Sequence, residues 1–227
     1  MFRSLRRSHI PLLLLLSLVL VGCSARSLRG NEGGSGTPVP GSDFHDSFVP
    51  GQTGKWLLEQ DEAGSTAIVN EQLVITIASP NTIQYATLND KVFSDFDLEV
   101  DVAQHSGPPD SSYGVIFRMQ DGQQFYRFDI TGSGLFMVER RDSDGTWTRL
   151  VPDWTSTSAI NQGMNVPNRL KVLAVGSTLA FYVNDVLLVQ VDDPAYTGGA
   201  VALDAGTFGG GNLQVSFDNL KITAGNP

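Results

Sequence analysis

DFDLEVDVAQHSGPPDSSYGVIFRMQDGQQFYRFDI, residues 95–130, holds three consecutive segments in which apolar and polar side chains alternate with period two. That is the spacing of a strand laid with one face on a core. Leu98, Val100 and Val102 share one parity and Asp97, Glu99 and Asp101 the other. Val115 and Phe117 oppose Arg118, and Tyr126, Phe128 and Ile130 oppose Arg127 and Asp129. One parity reads as core and the other as a charged surface.

The same grammar extends outward in both directions. Residues 67–69, 72–77 and 84–88 precede the stretch as short β-rich runs, and 134–140, 146–151, 168–174, 178–183, 186–191, 199–204 and 213–222 follow it. Asp121-Gly122, Asp144-Gly145 and Asn184-Asp185 punctuate them as turn signals. About 13 strands at regular spacing, with no helical period, predict an all-β domain of two antiparallel sheets packed face to face, a sandwich or jelly roll. In the last run Leu213, Val215 and Phe217 share one parity while Leu220 and Ile222 share the other. The register must slip at Asp218-Asn219, as at a bulge.

The 227-residue chain opens with Arg3, Arg6 and Arg7 ahead of an apolar run over residues 10–21 that is too short for an ordinary spanning helix. Residues 1–22 read as a secretion signal. The junction Leu20-Val21-Gly22-Cys23 resembles the lipobox of bacterial lipoproteins, and Cys23 is the only cysteine of the chain. Lipidation there would make residues 23–42, rich in Gly, Ser and Pro, a flexible stalk, with residues 43–227 as the domain. The expected location is extracytoplasmic, on the bacterial cell envelope, with the membrane as partner through the lipid anchor. Loss of the three leader arginines takes the formal charge from −9 to −12. Such an acidic chain has no means of neutralising phosphates, which argues against nucleic acid.

Asn168-Arg169-Leu170-Lys171-Val172, the hairpin 181–187, Gly199-Ala200-Val201-Ala202-Leu203 and the ending 215–220 resemble the concanavalin A-like (laminin G-like) jelly rolls of bacterial surface proteins. The resemblance is nearest to the 3-keto-disaccharide hydrolase domain family and covers roughly residues 44–222; residues 93–98 and 114–118 match that family's central strands. Asp185 stands where the family hairpin usually has glycine, a change the left-handed tolerance of Asp accommodates. The motifs are structural, so they imply fold more than activity.

In such folds the concave outer face of one sheet is the usual ligand site. The resemblance implies Glu99, Asp101, Arg118, Arg127 and Asp129 on it, with Trp147, Trp154 or Tyr113 as an apolar platform for a glycan. The plainer reading of the same charges is cross-strand pairing that keeps a sheet soluble. Asp97, Glu99 and Asp101 also resemble, with the residue types reversed, the carboxylate strand of jelly-roll β-glucanases. A retaining glycosidase needs carboxyls about 5–5.5 Å apart, whereas residues four apart on a strand are separated by about 13 Å. Asp46 and Asp218, if the first and last strands adjoin, could offer calcium two carboxylates. His45 and His105 alone in the mature chain give zinc or a Cys/His nucleophile nothing to build on. The sequence thus predicts a surface-tethered, non-catalytic carbohydrate-binding domain. A glycoside hydrolase acting through the strand carboxylates is the first alternative and a structural or protein-contacting domain the second.

Overall fold

The computed structural model describes residues 39–40 and 42–225; the expected signal, Cys23 and most of the stalk lie outside them. Among the described residues there is no helix. The alternating runs assemble into two eight-stranded antiparallel sheets. The first runs β12 (Trp147–Arg149), β11 (Leu135–Arg141), β10 (Phe125–Thr131), β9 (Ser112–Met119), β17 (Ala200–Gly206), β6 (Ile83–Leu88), β3 (Trp56–Leu57), with β13 (Thr155–Ser156) also on β11. The second runs β16 (Val186–Asp192), β15 (Thr178–Val183), β14 (Asn168–Val175), β8 (Phe96–Ser106), β18 (Leu213–Ala224), β5 (Gln72–Ile77), β4 (Gly64–Val69), with β2 (Phe44–Asp46) also on β18. A short parallel pair, β1 (Val39–Pro40) and β7 (Lys91–Val92), adds to these.

The apolar parity of each strand fills the space between the sheets. Leu98, Val100 and Val102 of β8, Leu170 and Val172 of β14 and Val215 and Phe217 of β18 are buried together with Val115, Phe117, Phe128 and Leu203 of the first sheet. Phe181 of β15 touches rings of the opposite sheet, with centroids 5.9 Å from Phe117 and 5.1 Å from Phe128. Such pairs add about 0.5–1.5 kcal/mol each beyond the area they bury. The expected slip in β18 is present: its pairing to β8 shifts between Asp218 and Lys221, and Asn219 adopts φ 52°. Leu220 and Ile222 are thereby buried like Phe217. At the β15–β16 hairpin both Asn184 and Asp185 take positive φ, as a type I′ turn requires.

Strands β9 and β10 depart from the pattern, for every residue of both is buried. Their polar parity therefore faces a second enclosed region rather than open solvent.

Arg118 does not belong to that region, contrary to expectation. The β9–β17 register shifts between Ala202, opposite Ile116, and Ala200, opposite Met119, and Arg118 adopts φ 50°. Its fully buried side chain leaves the face and ties three loops together. Nε and Nη2 donate to the Ser94 carbonyl at 3.1 and 2.9 Å, and Nη1 to those of Gly176 and Tyr196 at 2.8 and 3.0 Å. Tyr113 is likewise removed from the expected platform, since its parity places it in the core between the sheets.

Candidate functional site

The outer face of the first sheet can be read row by row from its register. Thr87, Ala202, Ile116, Arg127, Glu139 and Arg149 lie across it in one row, and Tyr85, Asp204, Gly114, Asp129 and Met137 in the next. Ile83, Gly206, Ser112 and Thr131 form a third, while Phe125, Arg141 and Trp147 stand on the other side of the Arg127 row. Half of the face is therefore apolar: Ile116, Met119, Phe125 and Ala202 pack together, flanked by Tyr85 and Trp147. The other half is a charged cluster at its centre.

Arg127 organises that cluster. Its Nε donates to Asp204 Oδ2 at 2.6 Å, Nη2 ion-pairs with Asp129 Oδ2 at 2.5 Å and donates to Ser112 Oγ at 3.0 Å, and Nη1 reaches Glu139 Oε1 at 3.5 Å. Arg127 is 4 % exposed, Asp129 2 % and Asp204 0 %. Asp129 and Asp204 sit on the two strands flanking β9, both opposite Gly114. A Cβ at Gly114 would come within 1.9 Å of the Phe128 carbonyl and 2.7 Å of Asp129 Oδ1. The glycine is thus what gives the Asp129 carboxyl room to lie over β9. Neither Asp129 Oδ1 nor Asp204 Oδ1 accepts a hydrogen bond from a protein donor.

Three carboxyls around one guanidinium, out of water, cannot all be charged without cost. Burial pushes Asp129 well above the ordinary carboxylate range, opposed by Arg127 and reinforced by the Asp204 charge. Burial also raises Asp204 and Glu139 against the pull of Arg127. Burial thus pushes both carboxyls toward the protonated form, and Asp129 Oδ1 stands over Gly114. Such a pair can accept one proton and release another, which is general acid–base capacity.

Trp147 flanks the apolar half, edge-to-face with Phe125 at 5.7 Å, its ring 5.4 Å from the Arg141 guanidinium. Trp154 precedes β13 and meets Phe208, which follows β17, edge-to-face at 6.0 Å. Strands β11, β10 and β9 separate β13 from β17 in the sheet order, so this contact joins the two flanks of the face.

Glu99 and Asp101 are not on this face, correcting the expected grouping. With Asp97 they stand on β8, in the second sheet, and each meets a cation of β14. Arg169 grips Asp101 at 2.8 and 3.1 Å, and Lys171 Nζ lies 2.7 Å from Asp97 and 3.0 Å from Glu99. Asp101 is lowered by its hydrogen bonds from Arg169 and Asn219, which outweigh desolvation. A depression of about 200 Å³ lined by Gln72, Asp101, Ser216 and Asp218 adjoins them.

The calcium expectation also meets a different arrangement. The first and last strands do adjoin, β2 pairing with β18, yet the Asp46 carboxylate is filled by protein donors. Phe48 N, Gly54 N, Thr53 Oγ1 and Trp56 Nε1 donate to it at 2.7–2.9 Å. Asp218 accepts from the Asn219 amide. Among the described residues no three His, Cys, Asp or Glu side chains are grouped to hold a metal ion.

Sequence reasoning missed Asp204, Glu139, Ser112, Gly114 and Arg141. The available signal was Asp204 itself, a carboxylate inside the otherwise apolar run Val201-Ala202-Leu203-Asp204-Ala205.

The model of a family described as 3-keto-alpha-glucoside-1,2-lyase-like domain matches residues 41–223. No curated protein matches the chain in sequence. Among solved structures, the carbohydrate binding module CBM66 from Bacillus subtilis is similar with a TM-score of 0.62 and 18% identity, over 76% of this chain and 98% of that one. A β-glucanase from Bacillus licheniformis is similar with a TM-score of 0.58 and 13% identity, over 82% and 99%. A putative glycosyl hydrolase from Parabacteroides distasonis gives 0.52 and 12%, over 75% and 88%. These likenesses establish a concanavalin A-like jelly roll of the kind found in glycosidases and carbohydrate-binding modules.

Proposed function

The chain belongs to the 3-keto-alpha-glucoside-1,2-lyase-like domain family, and from that premise we propose that it holds a glycoside against the outer face of the first sheet and exchanges protons with it through Asp129 and Asp204. The observation that carries this reading is the pair of buried carboxyls, both raised by burial, on the two strands flanking Gly114, with their Oδ1 atoms lacking a hydrogen-bond donor. The apolar half of the face, Phe125, Trp147 and Tyr85, offers rings on which the carbon face of a sugar can lie.

In a glycoside oxidised at C3, the carbonyl acidifies the hydrogen on C2. Ionised Asp204 takes that proton as the C1–C2 double bond forms and the C1–O bond breaks, and Asp129 gives its proton to the departing oxygen. The pair begins and ends with one shared proton, so no other acid or base is needed. Arg127 holds both carboxyls in register throughout and offsets the charge of whichever is ionised. The apolar run over residues 10–21 and the Cys23 that follows it support a further part of the reading, that the domain works outside the cytoplasm on a lipid-anchored stalk.

A second reading, glycan binding without chemistry, is favoured by the two short contacts from Arg127, which also suit the carboxyls to accept sugar hydroxyls. Incubation of the purified protein with nitrophenyl 3-keto-glucoside separates the two. We expect nitrophenol release that falls by about 10²–10⁴-fold in Asp129→Asn, while calorimetry shows that the variant still binds. Saturable binding without release would select the second reading, and absence of both would remove each.

A further inference from the structure

We infer that the site is built for a glycoside bearing a carboxylate, a uronate, whose charge is met by Arg141 at the aromatic end of the face. The inference rests on the saccharide reading above and names the chemical class of the sugar. Arg141 stands on β11 between Phe125 of β10 and Trp147 of β12, on the outer face. Every other arginine of β10, β11 and β12 has a carboxylate of its own. Arg127 has Asp129 and Asp204, Arg140 has Asp142 and Asp193, and Arg149 has Asp153. Arg141 makes no ion pair among the described residues, and its buried Nε has no hydrogen-bond partner. Arg141 is the one arginine among the described residues without an ion pair, whereas the two unpaired lysines, Lys91 and Lys221, stand outside this face.

The geometry around it is prepared for one. The guanidinium carbon lies 5.4 Å from the centre of the Trp147 ring, which restrains the fork while leaving its donors free. A planar fork of N–H donors matches a carboxylate in a two-point contact. Position also specifies the ligand's length. Phe125, level with Arg141, lies four residues along β10 from Asp129, about 13 Å at the rise of a strand. That is roughly the reach of a disaccharide. One sugar would sit over the Asp129–Asp204 pair and the next, carrying the carboxylate, over Trp147 and Phe125.

The test uses two probes that differ only at one C6: maltose, and the same disaccharide with one hydroxymethyl oxidised to a carboxylate. Calorimetry on the intact protein is expected to give the uronate an advantage of about tenfold, the scale of a charge-assisted pair. Arg141→Gln should abolish that advantage, Arg141→Lys should retain part of it, and added salt should narrow it in wild type. Equal affinities for the two probes, or a loss in Arg141→Gln that is the same for both, would overturn the inference and leave the saccharide reading standing. Failure of wild type to bind either probe would overturn the inference, while nitrophenol release from the 3-keto-glucoside decides the saccharide reading separately.

Discussion

The outer faces of the two sheets carry the same kinds of residue in the same alternating grammar, and they have opposite chemistry. On β8 the carboxylates Asp97, Glu99 and Asp101 meet Lys171 and Arg169 across one ladder, half exposed, and Asp101 is lowered by its partner. On the first sheet Asp129, Asp204 and Glu139 share a single buried Arg127, and all three are raised. The difference lies in the ratio of cations to carboxyls and in the access of water, neither of which a strand's own sequence contains. A charged strand face holds its carboxyls above their ordinary range when its counter-charges are too few and water is excluded.

The largest test of this contrast is removal of one cation from each face. Arg127→Met should lower unfolding stability by about 3–5 kcal/mol, since it strands buried charge. Arg169→Ala, at a pair whose arginine side chain is 50% exposed, should cost at most about 1 kcal/mol. Urea unfolding of both variants measures the gap, and equal losses would break the distinction. Gly114→Ala should also be costly, by about 1–3 kcal/mol, because its Cβ must displace the Phe128 carbonyl and the Asp129 carboxyl.

A smaller effect sharpens the comparison through pH. Asp129 binds its proton more tightly folded than unfolded, so its contribution to stability is complete below the ordinary carboxylate pKa and is lost as pH rises through the raised folded value. Asp129→Asn should flatten that decline. Asp101 has the opposite sign: its contribution is present above the ordinary pKa and is lost as pH falls through the lowered folded value. Asp101→Asn should flatten the acid limb instead. Thermal unfolding across pH reads both slopes. Smallest of all, Lys171→Gln should shift stability by less than about 1 kcal/mol, the usual scale for a half-exposed pair.

Period two made the strands, the core parity and the two-sheet fold legible, and the parity change after Phe217 located the β18 bulge. What period two could not supply is the sheet to which each charged parity belongs. Glu99 and Arg127 have equivalent positions in their own strands, and only the long-range order of strands puts them on opposite sides of the molecule. Arg118 was misplaced because a local register shift redirects its side chain, and no residue pattern in Gly114-Val115-Ile116-Phe117-Arg118 signals that shift. Asp204 was overlooked because its partners are some 75 and 90 residues earlier, at Asp129 and Gly114, joined by the ladder alone. The resemblance to the family carried the fold and left the site to be found from geometry.

Strand β18, 12 residues long, is the last of the described strands and lies in the interior of its sheet, between β8 and β5. During synthesis, therefore, β8 and β5 both wait with open edges until residue 224 has emerged. Truncation before Leu213 removes the middle of a sheet, and the exposed edges are templates for pairing with another chain. Completion of the domain is a single late event set by long-range pairing, the kind that makes β proteins fold slowly. A nascent or clipped chain of this protein should depend on a holding chaperone, and the intact one should not.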